Sequence, residues 1–478
     1  MDPESRPDGF PGVEIVPPAT VDPPGPRRAP SAPCYRRPML PRTRWFRTAG
    51  LVLAAFAGGA FTSHFARATT QAASPYTPLD QLARVLVIVE NQYVEPTQRQ
   101  KLTEGAIKGM VAELDPHSSY LDPQEFAVFQ GETSGKFGGV GVEVDFRNDY
   151  ITVIAPIEGS PAARAGIKSG DQILAIDGKP MRGERIDKLV TLMRGPRGTK
   201  VAMTIRRAGV PDPLSFELMR EEIHVQSVVG KMLDDGIAYV RLKQFQEGTH
   251  QELLALAAKL RAEGKGAVRG LLLDMRNNPG GLVDEAEGVA DEFLDAGVIF
   301  STRHRGQVIE ESKAHEGGAF ASLPIVALVN EYSASSAELV AGALQDSGRA
   351  LIVGAQTFGK GSVQTIFELP GGSGMRLTTM RYYTPSGRSI QAQGIKPDVQ
   401  IRSDKASAAQ VVRERDLDGH LPAEGEGARG RPALVIDDNG APTVIAPPAE
   451  MPADPRQGKD FPLKVGYQQL LERMSRKR

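Results

Sequence analysis

Ile325-Val326-Ala327-Leu328-Val329-Asn330-Glu331-Tyr332-Ser333-Ala334-Ser335-Ser336-Ala337-Glu338 is the stretch that decides the fold class of this chain. An unbroken apolar run closed by Asn330 has the pattern of a strand buried on both faces, and Ala337 to Gln345 continues with helical spacing. A buried strand feeding a helix through a short polar turn is one unit of an α/β sheet. Outward from it, Gly270 to Met275 and Ala350 to Val353 read as further buried strands and Leu282 to Leu294 as a helix, so residues 223–402 are expected to form an α/β core.

Three pieces of that core carry chemistry. The turn holding Ser333, Ser335 and Ser336 puts hydroxyls at a helix N-terminus, where backbone amides can stabilise an oxyanion. Serine is also a preferred helix cap, so the cluster alone does not choose a nucleophile. Thr357-Phe358-Gly359-Lys360-Gly361-Ser362-Val363-Gln364 sets a lysine between glycines after an apolar strand. Gly354 to Lys360 approaches a phosphate-binding loop. However, Gly361 stands where a magnesium-binding hydroxyl belongs, and an alternating strand follows where a helix is required. A lysine packed among glycines and apolar strands can instead lose hydration and become neutral enough to take a proton. The third piece, Leu271-Leu272-Leu273-Asp274-Met275-Arg276-Asn277-Asn278-Pro279-Gly280-Gly281, is a strand running into a turn whose amides can face an oxyanion.

The flanks divide further. Residues 76–134 have helical spacing, with Leu79, Leu82, Val85, Leu86 and Val89 on one stripe and Ile107, Met110, Val111 and Leu114 on another. Residues 135–222 switch to short alternating runs between glycine turns, and residues 403–458 read as a flexible Pro-, Gly- and charge-rich linker before a helix within 459–478. Residues 1–48 read as a disordered leader and basic signal region, with Met39 an alternative start. Within 49–68 the apolar run Ala49 to Phe61 and the small-residue site Ala66-Arg67-Ala68 read as a cleaved signal or an uncleaved membrane anchor. Either places the body outside the cytoplasm, in the periplasm or on the outer face of the inner membrane.

Composition narrows the classes. With 57 basic and 58 acidic residues the net charge is −1, which argues against nucleic-acid binding. One cysteine, Cys34, rules out a disulfide framework, and the seven histidines form no close-spaced ligand pair, so no metal and no other cofactor is expected.

Phe137-Gly138-Gly139-Val140-Gly141-Val142-Glu143, followed by Gly159-Ser160-Pro161-Ala162-Ala163-Arg164-Ala165-Gly166 and Gly170-Asp171-Gln172-Ile173-Leu174-Ala175-Ile176-Asp177-Gly178, resembles a PDZ domain. The resemblance implies capture of a protein's C-terminal tail by strand addition, with Gly138, Gly139, Val140, Gly141 and Val142 at the carboxylate end. The whole set, including Asp115-Pro116-His117-Ser118-Ser119-Tyr120 and Gly394-Ile395-Lys396-Pro397-Asp398, resembles the carboxyl-terminal processing peptidases, the tail-specific proteases of family S41. That resemblance implies a multidomain α+β chain: a ClpP/crotonase-like α/β protease core, an inserted PDZ domain and a helical N-terminal segment. It implies Ser335 as nucleophile, Lys360, 25 residues on, as base, Gln364 as the group that orients it, and amides of Ser336 and of Gly280 or Gly281 as oxyanion hole. It also implies tails of envelope proteins as substrates, and allows a homodimer through the helical termini and an adaptor partner. A PDZ tether with an inert core, and a crotonase-like acyl-CoA enzyme, are the competing readings; the filled Ser, Lys and Gln positions and the exported character argue against them.

Overall fold

The computed structural model describes residues 76–147, 150–264, 268–402, 411–424, 434–437 and 452–476. The expected leader and signal or anchor over 1–68 lie outside these residues. None of the described helices is long and apolar enough to cross a membrane.

Helix α1 (Thr77–Gln92) buries none of its residues, so the stripe read as a packing face stays largely exposed at Leu79, Leu82 and Val85. Helix α2 (Arg99–Ala112) buries only Val111. The turn after it is held by Asp115, whose carboxylate accepts from the amides of His117 and Ser118 and from Ser118 Oγ, and leads into β1 (Ser119–Leu121). Helix α3 (Pro123–Ser134) opens on a reciprocal cap between Asp122 and Glu125 and stops at Gly135, whose φ of 66° suits a residue without a Cβ.

The β-rich module begins with β2 (Lys136–Gly139), followed by β3 (Val142–Arg147), β4 (Tyr150–Pro156), α4 (Pro161–Arg164), β5 (Gln172–Ile176), β6 (Lys179–Pro180), α5 (Ile186–Met193), β7 (Lys200–Arg206) and β8 (Leu214–Met219), and closes with β9 (Glu221–His224). Period-two alternation buries Val201, Met203 and Ile205 of β7 on the same core as Ile151, Val153, Ile173 and Ile176. The strand order β3-β4-β5-β7-β8 leaves β3 at an edge among the described residues. Strands β2 and β9 pair antiparallel, Lys136 opposite His224, so the module leaves and rejoins the chain side by side, as an insertion must.

The core sheet uses β10 (Val228–Met232), β11 (Ile237–Leu242), β12 (Gly270–Asp274), β15 (Ile325–Val329), β16 (Ala350–Gly354), β19 (Val399–Arg402) and β20 (Leu434–Asp437), in that spatial order and parallel from β11 onward. Alternate residues serve opposite faces. Leu271, Leu273, Ile325, Ala327 and Val329 pack with helices α6 (Thr249–Glu263), α7 (Val283–Asp291) and α8 (Ser336–Asp346), whereas Leu272, Val326 and Leu328 pack with α9 (Phe461–Arg476). Two-sided burial explains why β12 and β15 are continuous apolar runs. A second, antiparallel sheet has the order β1-β18-β13-β14 through β13 (Val298–His304), β14 (Gln307–Lys313) and β18 (Gly374–Tyr383), with β17 (Ser362–Glu368) also paired to β18.

Two expectations change. Helix α7 is shorter than Leu282 to Leu294, because the amides of Phe293 and Leu294 bond three residues back, to Ala290 and Asp291, and tighten the chain out of the helix. Within 403–458, residues 411–424 are packed on the core with Glu414 buried, and β20 extends the main sheet, so the described parts of that stretch are not a free linker. Few apolar residues carry this docking; polar bonds do, which a composition reading cannot see.

Helix α9 is fixed by Asp460, whose carboxylate accepts from Arg276 Nη1 and Nη2 at 2.8 Å each, while Arg276 also donates to Asp274 through Nε at 2.9 Å and Nη2 at 2.6 Å. All three groups are buried. Removing one partner of such a cluster leaves charge uncompensated, so Asp460→Ala should cost about 3 kcal/mol. A urea midpoint that falls at constant slope checks this, and an unchanged midpoint would refute it.

Candidate active site

Strands β12, β15 and β16 all end at one edge of the parallel sheet, the edge where open α/β folds place their chemistry. The turn after β12 and the turn after β15 are sewn together there. The amide of Asn277 donates to Asn330 Oδ1 at 2.9 Å, Asn330 Nδ2 returns a bond to Asn277 Oδ1 at 2.7 Å, and the amide of Ala334 donates to Asn278 O at 2.9 Å.

This packing separates the three serines. Ser333 Oγ donates to Met275 O at 2.8 Å and accepts from the amide of Asn330, and Ser336 Oγ donates to Gly281 O at 2.9 Å; both residues are buried. The Ser336 hydroxyl is therefore occupied. Ser335 is half-buried and stands at φ 52°, ψ −119°, in a region that costs a non-glycine residue of order 1–3 kcal/mol. A serine in strained backbone between a strand and a helix is the local geometry of a nucleophile elbow. Gly280 gives it room: a Cβ there would lie 2.7 Å from Ser335 Cβ and 3.0 Å from the Ser336 nitrogen.

Glu338, to which the sequence reading gave no role, organises the site. It is fully buried on α8, and its Oε2 accepts from the amides of Ser335 at 2.8 Å and Lys360 at 2.9 Å. Its Oε1 accepts from the amide of Gly359 at 2.7 Å and from Thr357 Oγ1. One carboxylate thus holds the backbones of Ser335 and Lys360 to the same oxygen. Burial pushes its pKa up to about 7 against the pull of these donors. A signal was present: Glu338 is the one charged residue from Ser336 to Gln345.

Lys360 precedes β17, so a strand and not a helix follows the glycine loop. Burial, and after it the positive charge of Arg376, lowers its pKa to about 8, against the opposing charges of Glu414, Asp115 and Glu338. Gln364 lies on the same strand at a register shift of the β17–β18 pair, and its amide donates to Ser362 Oγ at 2.9 Å and Thr378 Oγ1 at 3.3 Å. No hydrogen bond joins it to Lys360 among the described residues. Of the two glycines, Gly280 spends its N–H on Asn278 Oδ1 at 2.9 Å, whereas the bridge to Phe245 uses Gly280 O and the amide of Leu282 and leaves the Gly281 N–H out.

In the inserted module, Gly138 and Gly139 lie in β2, and the carbonyls of Gly138, Val140 and Gly141 accept from the amides of Gly195, Ala162 and Ile157. Gly141, at φ 75°, admits no side chain, because a Cβ would meet Ser160 Cβ at 2.3 Å. Val142 then opens the edge strand β3, which α5 flanks.

An α/β core presenting a strained serine and a buried lysine, with a peptide-reading module inserted ahead of it, defines a serine-type peptidase. Residues 236–401 match the model of peptidase family S41, residues 152–207 that of a PDZ domain, and residues 57–125 that of the N-terminal domain of the activating protease CtpB. A carboxy-terminal-processing protease of Bartonella bacilliformis is 43% identical over 368 residues, 76% of this chain and 85% of that protein. The carboxy-terminal processing protease CtpA of Bacillus subtilis is 38% identical over 322 residues, 67% of this chain and 68% of that one. Among solved structures, the photosystem II D1 C-terminal processing protease is 31% identical, with 70% of this chain and 91% of that one covered at a TM-score of 0.41. The chain belongs to peptidase family S41 and is a carboxy-terminal processing serine protease with a PDZ domain.

Replacing Glu338 by Ala strands three amides and a hydroxyl and frees both loops. A misplacement of about 1 Å between reacting groups can cost 100-fold, so kcat/KM on a quenched peptide should fall by at least about that factor. A variant that keeps wild-type kcat/KM would refute the role of this carboxylate.

Proposed function

We propose that Ser335 is the nucleophile and Lys360 the general base of this protease. The observation that carries the assignment is the single carboxylate oxygen of Glu338 bonded to the amides of both residues, beside a lysine whose burial brings its pKa to about 8. Neutral Lys360 takes the Ser335 Oγ proton as the oxygen adds to the scissile carbonyl, and the oxyanion lies against the amides of Ser336 and Gly281. The C–N bond breaks as the lysine ammonium gives its proton to the leaving amine. Water, deprotonated by the same lysine, then attacks the acyl-enzyme and releases Ser335. Gln364 acts on the lysine through Ser362 and the strand that begins there.

The tail of the substrate adds to the edge that β3 presents among the described residues, alongside α5, its carboxylate toward the Gly138 to Val142 turn. Envelope proteins are the natural substrates in this reading, supported by the basic and apolar leader over 42–68. The apolar residues exposed on α1, including Leu79, Leu82 and Val85, suit contact between two copies.

Ser335→Ala and Lys360→Ala should each abolish cleavage of a peptide with an apolar carboxyl terminus. Lys360→Arg should not rescue it, because a guanidinium keeps its proton. Below its pKa the lysine is an ammonium and cannot accept the serine proton, so wild-type kcat/KM should rise with pH through about 8. Activity retained in Lys360→Arg would sink the base assignment.

A further inference from the structure

Residues 411–424 follow the protease core and form a strap over the lysine loop. Arg413 Nη1 donates to Gln356 O at 2.7 Å and Thr357 O at 2.8 Å, and the amide of Glu414 donates to Phe358 O at 3.2 Å. At the far end, Arg381 Nη1 on β18 donates to Pro422 O at 3.0 Å and pairs with Glu424 at 2.9 Å. Between these anchors Glu414 is fully buried and bonded on both oxygens. Oε1 accepts from Gln391 Nε2 at 2.8 Å, and Oε2 lies 2.7 Å from His117 Nε2. Gln391 Oε1 in turn accepts from the amide of Gly361, next to Lys360, at 2.9 Å.

We propose that Glu414 is a positioning residue for Lys360: through Gln391 it fixes the backbone beside the lysine, and its carboxylate is a negative charge set against the lysine ammonium. The inference rests on Lys360 being the base. A buried carboxylate contributed from outside the core is costly unless partnered, and its two partners are His117, in the turn after α2, and Gln391, in the turn after β18 that braces the lysine loop through the bond from the Ala392 amide to Gly359 O at 2.8 Å. His117 O accepts from Arg376 Nε at 2.9 Å, so the same turn also orients the cation that opposes Glu414. The charges facing Lys360 are then complete: Arg376 from β18, Asp115 from the turn after α2, Glu338 from α8 and Glu414 from the strap, with His117 facing Glu414 in turn. Burial pushes the Glu414 carboxyl up, but bonds from His117 and Gln391 and the Lys360 charge outweigh it and hold it below its ordinary value, so it is ionised wherever the lysine titrates.

The sign of its effect follows. A carboxylate favours the ammonium, so removing the negative charge lowers the lysine pKa. In the full-length protein, Glu414→Gln keeps both side-chain bonds, with the His117 ring in its other tautomer, and loses only the charge. The alkaline rise of kcat/KM on an internally quenched peptide with an apolar carboxyl terminus should then move about one pH unit lower. Glu414→Asp should keep the wild-type midpoint at a reduced rate. Arg381→Ala, which loosens the far end of the strap and leaves Glu414 charged, should lower kcat/KM without moving the midpoint. Should Glu414→Gln fail to fold, Glu414→Met, similar in volume and uncharged, must move the midpoint in the same direction. A folded Glu414→Gln protein that loses rate with its midpoint unmoved overturns the proposal and leaves the base assignment intact. Activity in Lys360→Ala, measured alongside, would overturn the assignment itself and the proposal with it.

Discussion

Glu338 lies in the first turn of α8 with both carboxylate oxygens filled by donors from two separated parts of the chain. Ser335 comes from the turn that opens the helix, and Thr357, Gly359 and Lys360 come from the loop after the next strand. The amide of Phe358 adds a direct bond from the lysine loop to Ser333 O at 3.0 Å. Parallel strands bring their carboxyl ends to one edge, but strand order alone leaves the loops free to splay by several ångströms. A buried acceptor with four donors removes that freedom, since any loop that withdraws leaves a polar group unsatisfied in the interior.

Around this centre the supports are graded by distance. The asparagine pair at 277 and 330 holds the two turns; Arg276, between Asp274 and Asp460, holds the turn after β12 to the C-terminal helix; and Asp115, with Thr378 and Ser118, holds the turn after α2 to β18. Arg276 with Asp274 and Asp460, and Asp115 with Ser118, are buried away from water, where an incomplete set would be worse than an apolar filling, and the asparagine pair is partly buried. Apolar packing builds the two-sided sheet and polar networks set the geometry at its edge.

The parts legible in the sequence are those governed by local rules. The all-apolar runs at Leu271 to Leu273 and Ile325 to Val329 announce strands covered on both sides, and Lys200 to Arg206 shows its period of two. Ser335, Lys360 and the glycine turn could be picked out as a set because their motifs resemble a known family. What stayed hidden depends on partners remote in the chain. Glu414 sits in a polar stretch that composition marks as a linker, and only His117, 297 positions away, and Gln391 make its burial tolerable. Likewise, that Gly280 spends its amide on Asn278 Oδ1 could not be read from the glycine turn. The helical spacing over Leu79 to Val89 was legible as α1, while the exposure of that stripe among the described residues was not.

The paired strands β2 and β9 admit the peptide-reading module through a ribbon whose two ends emerge beside one another. Such a joint makes few demands on what it carries. A different β-rich module could be grafted at the same place, or the present one could drift in its preferences, while the core sheet, its asparagine clamp and the lysine loop remained as they are. The fold therefore separates choosing a polypeptide from cutting it, and lineages can diversify the first while conserving the second.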